Sequence, residues 1–293
     1  MPNAVNGVQS GIISTMGKTY RGRLAPSPTG YLHLGHARTF WIAQERARQA
    51  GGKLVLRNED LDASRARPEY VQAMHEDLRW FGFAWDEGPD CGGPFGPYSQ
   101  SERGKIYLEA LDRLRQNGFV YPCRCSRKDV LQALQAPHAG EEEPIYPGTC
   151  RNKLISAGKR VNVNWRFRVP DGETVSFEDG RQGRQCFVAG KDFGDFVVWR
   201  SDGVASYQLA VVVDDAVMEI TEVVRGADLL VSTARQILLY RALQLQPPAF
   251  YHCDLLKDKA GKRLAKRHDA LSLKKLREQG YTPEELRKKM INE

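Results

Sequence analysis

His33-Leu34-Gly35-His36 follows the turn Pro26-Ser27-Pro28-Thr29-Gly30. Two imidazoles at the start of a helix can donate to phosphate oxygens. The helix N-terminus adds free N–H groups and the positive end of its dipole. Gly35 leaves room for an adenine ring against the backbone. Far downstream, Lys262-Arg263-Leu264-Ala265-Lys266-Arg267 forms a dense basic loop. Lys266 could neutralise charge building on a triphosphate as its α-phosphorus is attacked, a stabilisation that depends on position. The two motifs together point to an enzyme that activates a carboxylate with ATP. Each is weak by itself: a basic run is usually a solvated loop, and a short histidine motif can be incidental.

A second set of residues suits an acidic amino acid. Arg23 and Glu59 fall at the exits of two expected strands, and Tyr207 and Arg225 lie further on. Ligands of open α/β sheets gather at the carboxyl ends of strands. Guanidinium groups fork onto carboxylates and a glutamate receives an ammonium, so this set would match an amino acid with a second carboxylate. Surface ion pairing is the plainer reading of the same residues. Cys123, Cys125 and Cys150 lie close together among six cysteines. Three thiolates with Tyr146 or His138 as a fourth ligand could hold one structural zinc, although free buried thiols are the alternative.

These side chains need a scaffold. Tyr20 to Ala25 reads as a short strand, and a helix is expected from His33 to Ala50, stopped by Gly51-Gly52. Lys53–Arg57 reads as the next strand. Pro68 opens a helix with Val71, Met74, Leu78 and Phe81 at helical spacing and Gly82 as its stop. Ser101 is expected to cap another helix, with Ile106, Leu111 and Leu114 inward and Gly118 at its end. Residues 122–160, with the cysteines and an Ala/Gln/Pro/Glu-rich stretch, break the rhythm and read as an insert. A strand over 161–169, a strand and turn at Phe196–Gly203, a helix over 206–217, a strand over 219–225 and a helix over 227–243 follow. Thr282-Pro283-Glu284-Glu285 is a capping box. The alternation predicts an α/β, Rossmann-type parallel-sheet catalytic domain with a small zinc-bearing insert and a short helical C-terminal tail. The expected divisions are a leader over 1–19, catalytic halves over 20–121 and 161–255, the insert over 122–160, and the lysine loop with a basic tail over 256–293.

The net charge of +7 comes from 43 basic and 36 acidic residues. Lys257 to Glu293 holds 12 basic and 6 acidic residues, so most of the surplus sits in the tail, where it would attract phosphate or RNA. No apolar run reaches bilayer-spanning length, and no secretion signal opens the chain, so no membrane partner and a cytoplasmic location are expected. A monomer is expected.

Arg23-Leu-Ala-Pro-Ser-Pro-Thr-Gly30, His33-Leu-Gly-His36, Arg57-Asn-Glu-Asp60, Ser101-Glu-Arg103, Val213-Asp-Asp215 and Val224-Arg-Gly-Ala-Asp-Leu-Leu230 occur in the order of a known family. On these motifs the chain, over residues 20–270, resembles the catalytic half of class I glutamyl-tRNA synthetases. The resemblance implies ATP bound by His33, Gly35, His36, Arg263 and Lys266, with Mg²⁺. It implies a glutamate pocket of Arg23, Ala25, Ser27, Glu59, Tyr207 and Arg225, and zinc ligands Cys123, Cys125, Tyr146 and Cys150. His33, His36 and Lys266 would be the catalytic residues. Arg263, Ala265 and Arg267 depart from the family's lysine loop, and Val211 replaces an asparagine. The chain stops about two dozen residues past that loop, which fits a shortened branch of the family. That branch activates glutamate without tRNA and moves it to queuosine in the anticodon of tRNA(Asp). Charging a tRNA 3′ end, or silent RNA binding, are the other outcomes.

Overall fold

The computed structural model describes residues 19–62, 64–126, 128–129, 145–153, 163–255 and 272–292. Strand β1 (Arg21–Leu24) is buried along its whole length and pairs in parallel with β2 (Lys53–Leu56), from Arg21 opposite Lys53 to Leu24 opposite Leu56. Helix α1 (Leu34–Gln49) connects them, as parallel neighbours require. Leu34, Ala37, Phe40, Ala43 and Ala47 form its buried face. After α1 the chain turns back at Gly52, where a Cβ would come within 2.4 Å of the Tyr20 carbonyl oxygen. Only glycine admits that approach.

Helix α2 (Pro68–Phe81) starts on its proline and stops at Gly82, whose φ of +93° makes the left-handed cap expected there. Helix α3 (Gly104–Gln116) begins later than expected. Ser101 is not its cap: its backbone N–H and hydroxyl both donate to Asp60, holding a short 3₁₀ turn over Gln100–Glu102. Tyr107, rather than Ile106, is fully buried on the inner face with Leu111 and Leu114.

The central region is antiparallel. Strands β3 (Val120–Cys123), β4 (Asn164–Phe167) and β7 (Phe196–Trp199) form one sheet in the order β3-β4-β7. Strand β3 carries Pro122 and Cys123 into this sheet, so the start of the expected insert belongs to a strand of the body. Strands β5 (Thr174–Asp179) and β6 (Gly183–Val188) form a hairpin. Helix α4 (Tyr207–Val217), strand β8 (Glu222–Gly226), helix α5 (Leu230–Ala242) and strand β9 (Ala249–Cys253) restore the α/β alternation, with β8–β9 and β5–β9 parallel. Strand β8 starts three residues later than expected, because Glu219 turns at a φ of +53°. Thr221 N–H donates to the Arg21 carbonyl, setting the β8 edge beside β1.

Two apolar cores result. One lies among α3, α4, α5 and the antiparallel sheet. The other surrounds α1, β1, β2 and α2. Helices α6 (Leu273–Glu278) and α7 (Pro283–Asn292) are basic outside yet contribute Leu273, Leu276, Leu286 and Met290 to this second core. The expected capping box of α7 is present: Thr282 N–H donates to Glu285 at 2.8 Å, and Glu285 N–H donates back to Thr282 Oγ1 at 3.3 Å. Among the described residues no helix is long and apolar enough to cross a membrane.

Candidate active site

The buried carboxyl ends of β1, β2 and β8 lie close together, and polar residues stand on or just after them. Arg23 on β1 is buried, and its Nη1 donates to the Val224 carbonyl on β8 at 3.2 Å. Arg225, the next residue along, therefore lies beside it. Glu59 follows β2 and takes a hydrogen bond from Arg57 Nη2 at 3.0 Å. Tyr207 opens α4, half exposed, with its hydroxyl 3.4 Å from Arg225 Nη1. Ser27, Glu59 and Tyr207 face a cavity of about 1090 Å³ that also reaches Gln100, Arg235 and, at its far wall, Cys125, Tyr146 and Arg166. Neither Arg23, Ala25, Arg225 nor either histidine lines it. The two arginines sit behind this wall, Arg225 through Tyr207.

Arg57 organises the floor. It is fully buried, bonds Asp215 at 2.7 Å and Glu59 at 3.0 Å, and lies 3.7 Å from Asp214. Burial works against its charge, but Asp215, Glu59 and Asp214 outweigh that and hold its pKa well above the usual value. Arg103 Nε, Gln100 and Tyr107 complete the shell of Asp214. Burial pushes the Glu59 carboxyl up, against the pull of Arg57 and Arg23.

Arg225 departs from the expected carboxylate fork. Its Nη2 donates to Thr233 Oγ1 and Gln236 Oε1, both at 2.7 Å, and its Nε donates to His252 Nε2 at 3.2 Å. Of its donors, only those of Nη1 remain, and one of these points at Tyr207. His252 Nδ1 lies 2.5 Å from Asp179 Oδ2. Sequence reasoning missed Asp179, Thr233, Gln236 and His252. The histidine sits in a short, largely inward-facing strand and has no motif around it. Asp179 is opposite its neighbour Phe250, on the adjacent strand.

His33 and His36 open α1 as expected. Their rings stack with centroids 3.8 Å apart, and His36 Nδ1 accepts the His33 backbone N–H at 3.4 Å. A Cβ on Gly35 would meet only the His33 ring, at 3.5 and 3.7 Å. Arg263 and Lys266 lie outside the described residues. The residues flanking that segment attach to α1: Arg38 Nη1 donates to the Asp254 carbonyl at 3.2 Å, and Ser272 pairs with His33 in an isolated bridge.

The three cysteines converge. Cys123, Cys125 and Cys150 place their sulfurs within 4.8 Å of one another. The Tyr146 hydroxyl lies 3.4 Å from Cys123 and 3.5 Å from Cys125. A tetrahedral zinc with bonds of about 2.3 Å needs sulfurs about 3.8 Å apart, so the donor set fits. Burial pushes the Cys125 thiol up to about 11. Cys150 falls to about 7, because burial there is outweighed by the Arg124 backbone, the Tyr146 hydroxyl and the neighbouring thiols. Arg166 lies over the Tyr146 ring at 3.9 Å and donates to Cys123 at 3.3 Å, positive charge suited to an anionic ligand set. His138, the rival ligand, lies outside the described residues.

The fold and this pocket define a class I aminoacyl-tRNA synthetase catalytic domain. The chain belongs to the family described as tRNA synthetases class I (E and Q), catalytic domain, matched over residues 19–292. It is 53% identical over 265 residues to a glutamyl-Q tRNA(Asp) synthetase of Nitratidesulfovibrio vulgaris, covering 89% of this chain and 82% of that protein. A glutamyl-Q tRNA(Asp) synthetase of Symbiobacterium thermophilum is 52% identical over 270 residues, covering 90% and 83%. A glutamate–tRNA ligase of a Sulfurihydrogenibium species is 43% identical, covering 90% of this chain but 56% of the ligase. A solved glutamate tRNA ligase of Elizabethkingia meningosepticum, in complex with its amino acid, superposes with a TM-score of 0.76 at 30% identity, covering 86% and 53%. The chain thus spans about half the length of that solved ligase.

Proposed function

We propose that this chain activates L-glutamate with ATP, without tRNA, and transfers the glutamate to queuosine in the anticodon loop of tRNA(Asp). The observation that carries the reading is the 53% identity to a glutamyl-Q tRNA(Asp) synthetase over most of both chains. In the first step the glutamate α-carboxylate attacks the α-phosphorus of ATP, giving glutamyl-adenylate and pyrophosphate. Glu59 receives the ammonium group. Arg225, beside Tyr207 and Arg23, supplies the cationic field for the second carboxylate. Ala25 and Ser27 follow β1, and Ser27 lines the cavity while Ala25 does not. His33 and His36 hold the triphosphate at the start of α1, with Gly35 under the adenine. Arg263 and Lys266 stabilise the charge developing on the phosphates. Asp254 and Ser272, on either side of the segment that carries them, both attach to α1 or to His33 at its start. Mg²⁺, carried in with ATP, would shield its phosphates.

In the second step a hydroxyl of the queuosine ring attacks the adenylate carbonyl, forming an ester and releasing AMP. The basic outer faces of α6 and α7 would meet the RNA backbone. Cys123, Cys125, Cys150 and Tyr146 would hold a zinc that ties the end of β3 to the 145–153 segment and supplies structural cross-linking.

The test is incubation with ATP, labelled glutamate and tRNA(Asp) with or without queuosine. Label should appear only with queuosine. Equal labelling of both tRNAs, or labelling of tRNA(Glu) at its 3′ end, overturns the reading.

A further inference from the structure

Arg225 is buried, yet among the described residues no carboxylate pairs with it. Its neighbours Thr233, Gln236 and Tyr207 are neutral, and so is His252 if its ring carries one proton. Burying an unpaired cation is costly, so its charge is held in reserve for an anion. Holding it there requires acceptors that orient it without neutralising it.

His252 meets that need because of Asp179. Asp179 Oδ1 is fixed by the backbone N–H groups of Arg181 at 3.0 Å and Gln182 at 2.8 Å, and Oδ2 faces His252 Nδ1 at 2.5 Å. A carboxylate there places the imidazole proton on Nδ1. The Nε2 lone pair is then left to accept, from Arg225 Nε–H at 3.2 Å; Thr233 Oγ1 also lies 2.9 Å from Nε2, and its hydroxyl proton has the Leu229 carbonyl at 3.1 Å as its acceptor. Burial, together with the Arg225 charge, lowers the imidazole to about 4, so the ring stays neutral at physiological pH. The aspartate is therefore kept one ring away from the guanidinium: its charge sets the tautomer but does not cancel Arg225.

We propose that Asp179 and His252 are positioning residues that hold Arg225 uncompensated, and that this arrangement sets the preference for a side-chain carboxylate over an amide. The inference rests on the glutamate reading of the pocket. A charged acceptor in place of His252 would pair with Arg225 and remove its demand for an anion. A donor there would oppose Arg225 Nε–H and turn the guanidinium away.

The test compares the full chain with His252→Gln, His252→Glu and Asp179→Asn in glutamate-dependent pyrophosphate–ATP exchange, with glutamine as the competing substrate. His252→Gln keeps a neutral acceptor and should stay within about threefold of wild type in kcat/KM for glutamate. His252→Glu should raise the glutamate KM about tenfold or more, leave the ATP KM within about twofold, and lower the glutamate-to-glutamine preference about tenfold. Asp179→Asn presents an amide N–H to Nδ1 and should move the ring proton to Nε2. ¹⁵N spectra of histidine-labelled protein read that shift, with His252→Gln assigning the signal, even if activity is lost. Unchanged discrimination in His252→Glu, equal losses for glutamate and ATP, or a wild-type ring already protonated on Nε2 would overturn the proposal. Absence of glutamate-dependent exchange in the wild-type chain would instead overturn the functional reading beneath it.

Discussion

Glu59→Gln tests the proposed recognition of the substrate's ammonium group. Glu59 Oε1 is taken by Arg57, while Oε2 accepts no hydrogen bond from the described residues and the side chain faces the cavity. The substitution keeps the shape and removes the charge. A hydrogen bond to a charged group contributes about 1.5–3 kcal/mol, so the glutamate KM should rise by about 10- to 150-fold. Arg57 keeps Asp215 at 2.7 Å and Asp214 at 3.7 Å, so the fold should persist, which urea denaturation can check. There is also a pH signature. Burial raises the Glu59 pKa, and only the ionised form receives an ammonium. In the wild type, glutamate affinity should therefore weaken as pH falls through that raised pKa, and in Glu59→Gln this slope should vanish. Pyrophosphate exchange at several pH values measures both effects. A variant KM within about twofold of wild type, or an unaltered pH slope, would refute the assignment.

Lys266→Ala should slow adenylate formation by about 10²–10³-fold with glutamate binding nearly unchanged, as read by exchange kinetics and calorimetry. Unaltered exchange removes the role. Metal analysis should find about one zinc per chain, lost in Cys150→Ser together with thermal stability. A folded wild-type sample containing no metal refutes the site. Asp77, buried 3.5 Å from Arg277, has its pKa raised by burial to about 6 from 3.8. The folded state then binds the proton more tightly than the unfolded state, so this group's contribution to stability is complete below 3.8 and is lost as pH rises to about 6. Asp77→Asn should remove that loss and flatten the stability profile across this window, with a ceiling of about 3 kcal/mol at neutral pH. A profile parallel to wild type in denaturation series contradicts it.

Helices α1, α2 and α7 were legible because their signals are local: apolar spacing, proline at the start, glycine or a capping pair at the ends. The parallel β1–α1–β2 unit followed from the same periodicity. The start of α3 was not legible, since Ser101 has the right chemistry for a cap and spends it on Asp60, forty-one residues away in the chain. The cysteine cluster could be read from spacing, and its three sulfurs do converge. The individual arginines of the pocket could be named, but not what holds them. Arg225 is oriented by His252 and Thr233, and behind them by Asp179, residues that meet only when β5, β8, β9 and α5 assemble. Spacing along the chain carries no trace of such a meeting.

The Arg57 hub has a consequence for anyone redesigning this pocket. One guanidinium touches the residue that faces the cavity and two acids of α4, so a change of charge at any of the four is felt by its partners through Arg57. Single-site scans would then misjudge combinations, because coupled neighbours do not add. A library aimed at a new amino acid would do better to vary Arg57, Glu59, Asp214 and Asp215 jointly, keeping their summed charge fixed, than to walk through them one at a time.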